Sequence, residues 1–160
     1  MIKHLANTGE FEKSRPYCKT IQKLAGGNPN VNFQLGRIAM GTKDIRMAVD
    51  LFDRAFKANP RMFTAANNLA WLLATNKDEK IRDGKRAVEV AKSICETTQY
   101  KDYRFFSTLA AAYAEDGDFE NAISITKKAI EMATAKGDDR SVGSLSQRLE
   151  LFESEKPVRD

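Results

Sequence analysis

Few residues of this chain have the type and spacing that chemistry needs. The nearest match is Gly36-Arg37-Ile38-Ala39-Met40-Gly41-Thr42-Lys43, which approaches a phosphate-binding loop. That loop requires a strand feeding a glycine-rich turn that opens a helix, with Lys before a metal-ligating hydroxyl. Here Thr42 precedes Lys43, so ammonium and hydroxyl exchange places, and Gly36 falls inside a predicted helix. His4 is the only histidine, which excludes a triad with a well-placed His base and any metal site with two His ligands. Acidic pairs such as Glu115-Asp116 and Asp138-Asp139 fall in predicted turns and caps, where they complement helix N-termini. Cys18 and Cys95 form no C-x-x-C pair and read as small buried thiols. The expectation is a protein that is not an enzyme, with no cofactor, no metal and no small-molecule substrate.

Charge narrows the partners further. Residues 1–102 hold 18 Lys/Arg against 11 Asp/Glu, and residues 103–160 hold 8 against 11. A basic first part and a mildly acidic end favour acidic partners for the first part, or head-to-tail contact between copies. Cations meeting nucleic-acid phosphates must align on one face, with aromatics interleaved for single strands. Lys85-Arg86 and Lys127-Lys128 are only doublets, so the pattern argues against nucleic acid. The 42% hydrophobic and 30% charged composition is that of a globular chain. No apolar run reaches the roughly 20 residues needed to span a bilayer, and the first residues lack a secretory signal. A cytoplasmic location is the default expectation.

The elements that must position any functional residue are helices, and they repeat. Leu35-Gly36, Leu69-Ala70 and Leu109-Ala110 are spaced 34 and 40 residues apart, and each is followed by Ala48, Ala87 or Ala122. A period in the thirties with paired helices is the signature of a stacked helical array. Phe106, Leu109, Ala110 and Tyr113 fall at i, i+3, i+4 and i+7, one face of a helix; Ala122, Ile125, Ala129 and Met132 define the next. Gly41 with Asp44, Asp83-Gly84 and Gly117-Asp118 are predicted turns, with Asp as the N-cap. Small residues at 36, 70 and 110 let paired helices approach. The second repeat carries an inserted loop from Asn76 to Arg82, beside Asn67, Asn68 and Trp71. Residues 139–153, with Val142, Leu145, Leu149 and Phe152 on one stripe, read as a capping helix. Pro157 and Val158-Arg159-Asp160 are expected to end the fold.

Leu35, Gly36, Ala48, Phe52, Ala55 and Pro60 resemble the tetratricopeptide repeat pattern, as do Phe106, Leu109, Ala110, Tyr113, Ala122 and Ala129 without the closing Pro. Leu69, Ala70, Leu73, Ala87 and Ile94 retain it around the insertion. Leu69–Thr75, Asp83–Val88 and Arg148–Phe152 are also similar to C-terminal repeat regions of planctomycete-type bacterial proteins. The resemblance implies an all-α fold: an α-α superhelix, or solenoid, of antiparallel helix pairs. Residues 1–160 would form a single domain, with a partial repeat over 1–28, full repeats over 29–62, 63–102 and 103–136, and a capping helix over 137–156. In this family the first helix of each repeat lines a concave groove. Carried over, the groove residues are Phe33, Arg37, Asn67, Asn68, Trp71, Arg104 and Thr108. Amides bond a peptide backbone, Arg pairs with carboxylates and aromatics grip apolar side chains. Some members clamp a terminal carboxylate with five residues; Asn68 and Arg104 match that set, whereas Phe33, Arg37 and Thr108 depart from it.

The function so implied is a protein–protein interaction scaffold holding a partner peptide or helix, an acidic segment being one ligand that its arginines could recognise. The alternatives are an assembly segment that self-associates end to end and, third, an RNA- or DNA-binding adaptor.

Overall fold

The computed structural model describes residues 20, 21, 23, 24 and 26–160. His4, Cys18 and most of the half-repeat expected over 1–28 lie outside the described residues. From Pro29 onward the chain forms α1 (Pro29–Gly41), α2 (Ile45–Ala58), α3 (Phe63–Thr75), α4 (Gly84–Thr97), α5 (Tyr103–Glu115), α6 (Phe119–Ala135) and α7 (Asp139–Glu153). No strand occurs among the described residues.

Helix starts follow from side-chain chemistry. The first amides of a helix lack intrahelical acceptors, and a short acidic or amide side chain supplies one. Asn28 accepts from the amides of Asn30 and Val31, and Asp44, Asp83, Asp118 and Asp138 each accept from the amide three residues on. Asp102 accepts from Arg104 N. The turns divide differently from expectation. Gly117 adopts a left-handed φ of 85°, which glycine tolerates, but between α1 and α2 the left-handed residue is Lys43, at φ 60°. Gly41 instead ends α1.

The chain divides into two compact units, one ending at Leu69 and one running Ala70–Asp160, with the border inside α3. In the first unit α1 packs on α2. Leu35, Ile38, Ala39, Leu51, Phe52 and Ala55 are buried there. Gly36 is required by this packing, because a Cβ at that position would lie 2.7 Å from the Phe52 ring. Phe33 belongs to the same cluster, its ring centroid 5.9 Å from that of Phe52.

In the second unit α5 packs on both α4 and α6, and α6 on α7. Val90, Ile94, Phe106, Leu109, Leu145 and Phe152 are buried, with alanines 110, 122 and 129 at the close approaches. Of the stripes read for α5 and α6, Phe106, Leu109, Ala110, Ala122 and Ala129 are core positions, whereas Tyr113, Ile125 and Met132 are half-buried. No helix among the described residues is long and apolar enough to cross a membrane.

Candidate functional site

The expected groove residues come from the first helices of the pairs, α1, α3 and α5. In the first unit, Arg37 is half-buried on α1 and donates from Nη1 to Gln34 Oε1 at 3.3 Å. Asn67 and Asn68 lie half-buried on α3, and the Asn67 Oδ1 is buried without a hydrogen-bond partner among the described residues. A buried amide oxygen left unpaired is costly, so it is an acceptor in search of a donor. Phe33 is committed to the ring contact with Phe52.

In the second unit the three predicted residues differ in environment. Thr108 is buried in α5 at 3% exposure and presents little to a ligand. Arg104 is exposed, but its guanidinium donates to both carboxylate oxygens of Asp102, the shortest contact being 2.5 Å. The Arg104 hydrogen bond in turn holds the Asp102 carboxyl below its ordinary value. Trp71 is the predicted residue most elaborately engaged. The Arg148 guanidinium of α7 stacks over its indole at 4.8 Å from the ring centroid, and Trp71 Nε1 donates to Asp160 Oδ2 at 3.0 Å. Arg148 also donates to the Ser107 hydroxyl on α5. Burial pushes the Arg148 guanidinium down from its ordinary pKa, and the charge of Asp160 opposes that shift.

Beside this stack, Tyr103, Arg104, Ser107, Ser141, Ser144 and Leu145 line a hollow of about 200 Å³. Tyr103 donates its hydroxyl to Asp138 Oδ2 at 2.5 Å. With the Ser141 hydroxyl and amide also donating, the Asp138 carboxyl falls to about 2. The tyrosine and aspartate brace α5 against α7 and so fix the walls of the hollow.

Sequence reasoning missed two participants. Glu115 is not a cap: it ends α5, mostly buried, with Arg82 Nε donating to Oε1 at 2.8 Å and Arg159 Nη1 2.7 Å from Oε2. Arg82 further donates to the Asn76 and Lys77 carbonyls at 2.7 and 3.1 Å, which fastens the inserted loop to the end of α5. Second, residues 157–160 do not trail into solvent. Val158 is buried at 8% exposure and the Asp160 amide donates to the Thr75 carbonyl at 2.8 Å. Only the charge of Glu115, Arg148 and Asp160 hinted at these partnerships, since the partners lie far apart in sequence. No group of His, Cys, Asp and Glu that could hold a metal occurs among the described residues.

A tetratricopeptide repeat family model matches residues 29–62 and 103–136. Both segments are thus similar to tetratricopeptide repeats. The matched spans coincide with the first and third repeats read from the sequence, while the span between them holds the Asn76–Arg82 insertion. Among solved structures, the chain is similar to MamA 41-end from Desulfovibrio magneticus RS-1, at 22% identity and a TM-score of 0.67, over 96% of this chain and 91% of that one. A MamA RS-1 double mutant gives 21% identity and 0.67, over 96% and 90%. Another MamA protein gives 18% identity and 0.69, over 86% and 72%. A search of curated proteins finds no match. At these identities the likeness is one of fold: all-α, of the tetratricopeptide solenoid class.

Proposed function

We propose that the chain binds an extended, acidic peptide segment of a protein partner through the first helices of its repeats. The observation that carries this reading is the Trp71–Arg148 stack. A guanidinium drawn partly out of water over an indole is a cation that gains from a carboxylate, and the indole N–H beside it donates only. Asp160 supplies such a carboxylate from within the chain, which supports acid recognition by this pair. In the first unit, taken by itself, the unpaired Asn67 Oδ1 offers an acceptor for a peptide amide, and Asn68 and Arg37 carry donors. Arg104 contributes by exchanging Asp102 for a ligand carboxylate, at a cost set by breaking an exposed pair, typically below about 1 kcal/mol.

The test is fluorescence anisotropy with a labelled glutamate-rich decapeptide at low salt. Arg148→Met, which removes the guanidinium and keeps an unbranched side chain, should weaken binding about 10-fold or more, the worth of one hydrogen bond to a charged group being about 1.5–3 kcal/mol. The double variant Asn68→Ala/Arg104→Ala should weaken it as well. Unchanged affinity in both folded variants sinks the assignment.

A further inference from the structure

The face that carries the Trp71–Arg148 pair already holds a peptide. After α7 the chain reverses through Glu155, at a left-handed φ of 53°, and Lys156 N bonds back to the Leu151 carbonyl. Pro157 follows, removing one backbone donor and stiffening the approach. The next three residues then dock by three different means. Val158 is buried. Arg159 meets Glu115 Oε2 at 2.7 Å. Asp160 donates its amide to the Thr75 carbonyl at 2.8 Å and accepts from the Trp71 indole at 3.0 Å. An aliphatic, a basic and an acidic residue in series are thus matched by an apolar site, a carboxylate and an indole beside a guanidinium.

The docking is incomplete in a way that matters. Arg159 contacts Glu115 as an ion pair without hydrogen-bond alignment, so the buried Oε2 keeps no hydrogen bond. An arginine approaching from a free peptide, not constrained by the short link to α7, has room to align with it. The segment is held by few bonds and one buried side chain, and two of its anchors, Arg159 and Asp160, are exposed residues.

We propose that residues 157–160 are a displaceable intramolecular ligand of this face, and that the partner carries the same aliphatic–basic–acidic series and must compete with them. This rests on the reading of the face as a peptide-binding surface. A short tether gives an effective concentration of the order of millimolar. Against a free-peptide Kd of about 100 μM, that occupancy weakens an incoming peptide roughly 10-fold.

The probe is a fluorescein-labelled peptide reproducing Lys156–Asp160, titrated by anisotropy into the intact chain and into the chain ended after Lys156. The expected result is binding to the shortened chain about 10-fold tighter than to the intact one, with Glu115→Gln in the shortened chain weakening it. Equal binding to both chains overturns the proposal, as does absence of binding to a shortened chain whose circular dichroism remains helical. If the shortened chain fails to fold, the full-length double variant Arg159→Glu/Asp160→Lys takes its place: it must bind the peptide about 10-fold tighter than the parent, and unchanged affinity overturns the proposal. The glutamate-rich decapeptide separates the two readings. If it binds intact and shortened chains alike while the Lys156–Asp160 peptide binds neither, the tail's role fails and the acidic-peptide reading stands. If neither peptide binds either folded chain, both fail.

Discussion

Two glycines in the second unit should respond to the same substitution with opposite sign. Gly143 lies exposed within α7, and a Cβ there meets nothing within 4 Å. Gly143→Ala therefore removes only the backbone entropy that glycine loses in a helix, a gain of about 0.5–1 kcal/mol. Gly84 opens α4, where a Cβ would lie 2.7 Å from Asp116 N, 2.8 Å from Asp116 Cα and 2.9 Å from the Glu115 carbonyl carbon. These are backbone atoms, so no side-chain rotation relieves the clash and α4 must move against the end of α5. Overpacking of this kind costs about 1–3 kcal/mol, and the propensity gain at a first helical position offsets little of it. For a chain of this size, with about 2–4 °C in Tm per kcal/mol, Gly143→Ala should raise Tm by about 1–4 °C and Gly84→Ala should lower it by several degrees. Urea titrations followed by circular dichroism should show the midpoints moving apart with m unchanged, as stability alone changes. If Gly84→Ala is as stable as the parent, or both variants move the same way, the close approach that fixes Glu115 between Arg82 and Arg159 is wrong.

Two further predictions concern protons. Cys95 is fully buried, and burial, with Asp102 and Glu96 adding to it, pushes its thiol up to about 12. The unfolded thiol ionises near 9 while the folded one does not, so stability should fall as pH rises from about 9 toward 12, by at most about 1.4 kcal/mol per pH unit. In a Cys18→Ser background, thiol labelling should be slow at pH 8 and rapid in urea; fast labelling of the folded chain would contradict the burial. Asp138 is held at about 2 by Tyr103 and Ser141, below its unfolded value. Its contribution is therefore present above about pH 4 and is lost as pH falls toward 2. Asp138→Asn keeps an N-cap oxygen, so acid unfolding curves of this variant should be flatter in that window, and identical curves would refute the assignment.

The helices were legible because local rules write them. Leu35, Leu69 and Leu109 recur with a small neighbour, each on a 3.6-residue stripe, and Asp44, Asp83 and Asp118 stand where caps are needed and do cap. The groove was legible only as a set of positions, because a pattern says which helix face a residue occupies and not what else reaches that face. Thr108 proved buried and Phe33 joined the Phe52 cluster, both outcomes decided by packing partners. The return of residues 157–160 had no local signature at all. Trp71 and Asp160 are 89 residues apart, and nothing in Pro-Val-Arg-Asp distinguishes a docked segment from a solvated end. Glu115 misled for the same reason: an acidic doublet beside Gly117 reads as turn chemistry until Arg82 and Arg159 arrive from elsewhere.

The measurement that bears most directly on peptide recognition by the first helices is a two-dimensional amide NMR titration of the ¹⁵N-labelled intact chain with the glutamate-rich decapeptide. Saturable shifts should concentrate at Asn67, Asn68, Arg104 and Arg148 and at the Trp71 indole N–H, with that indole signal moving as Asp160 gives way. Shifts confined to α2, α4 and α6, or none at millimolar peptide, would contradict the account.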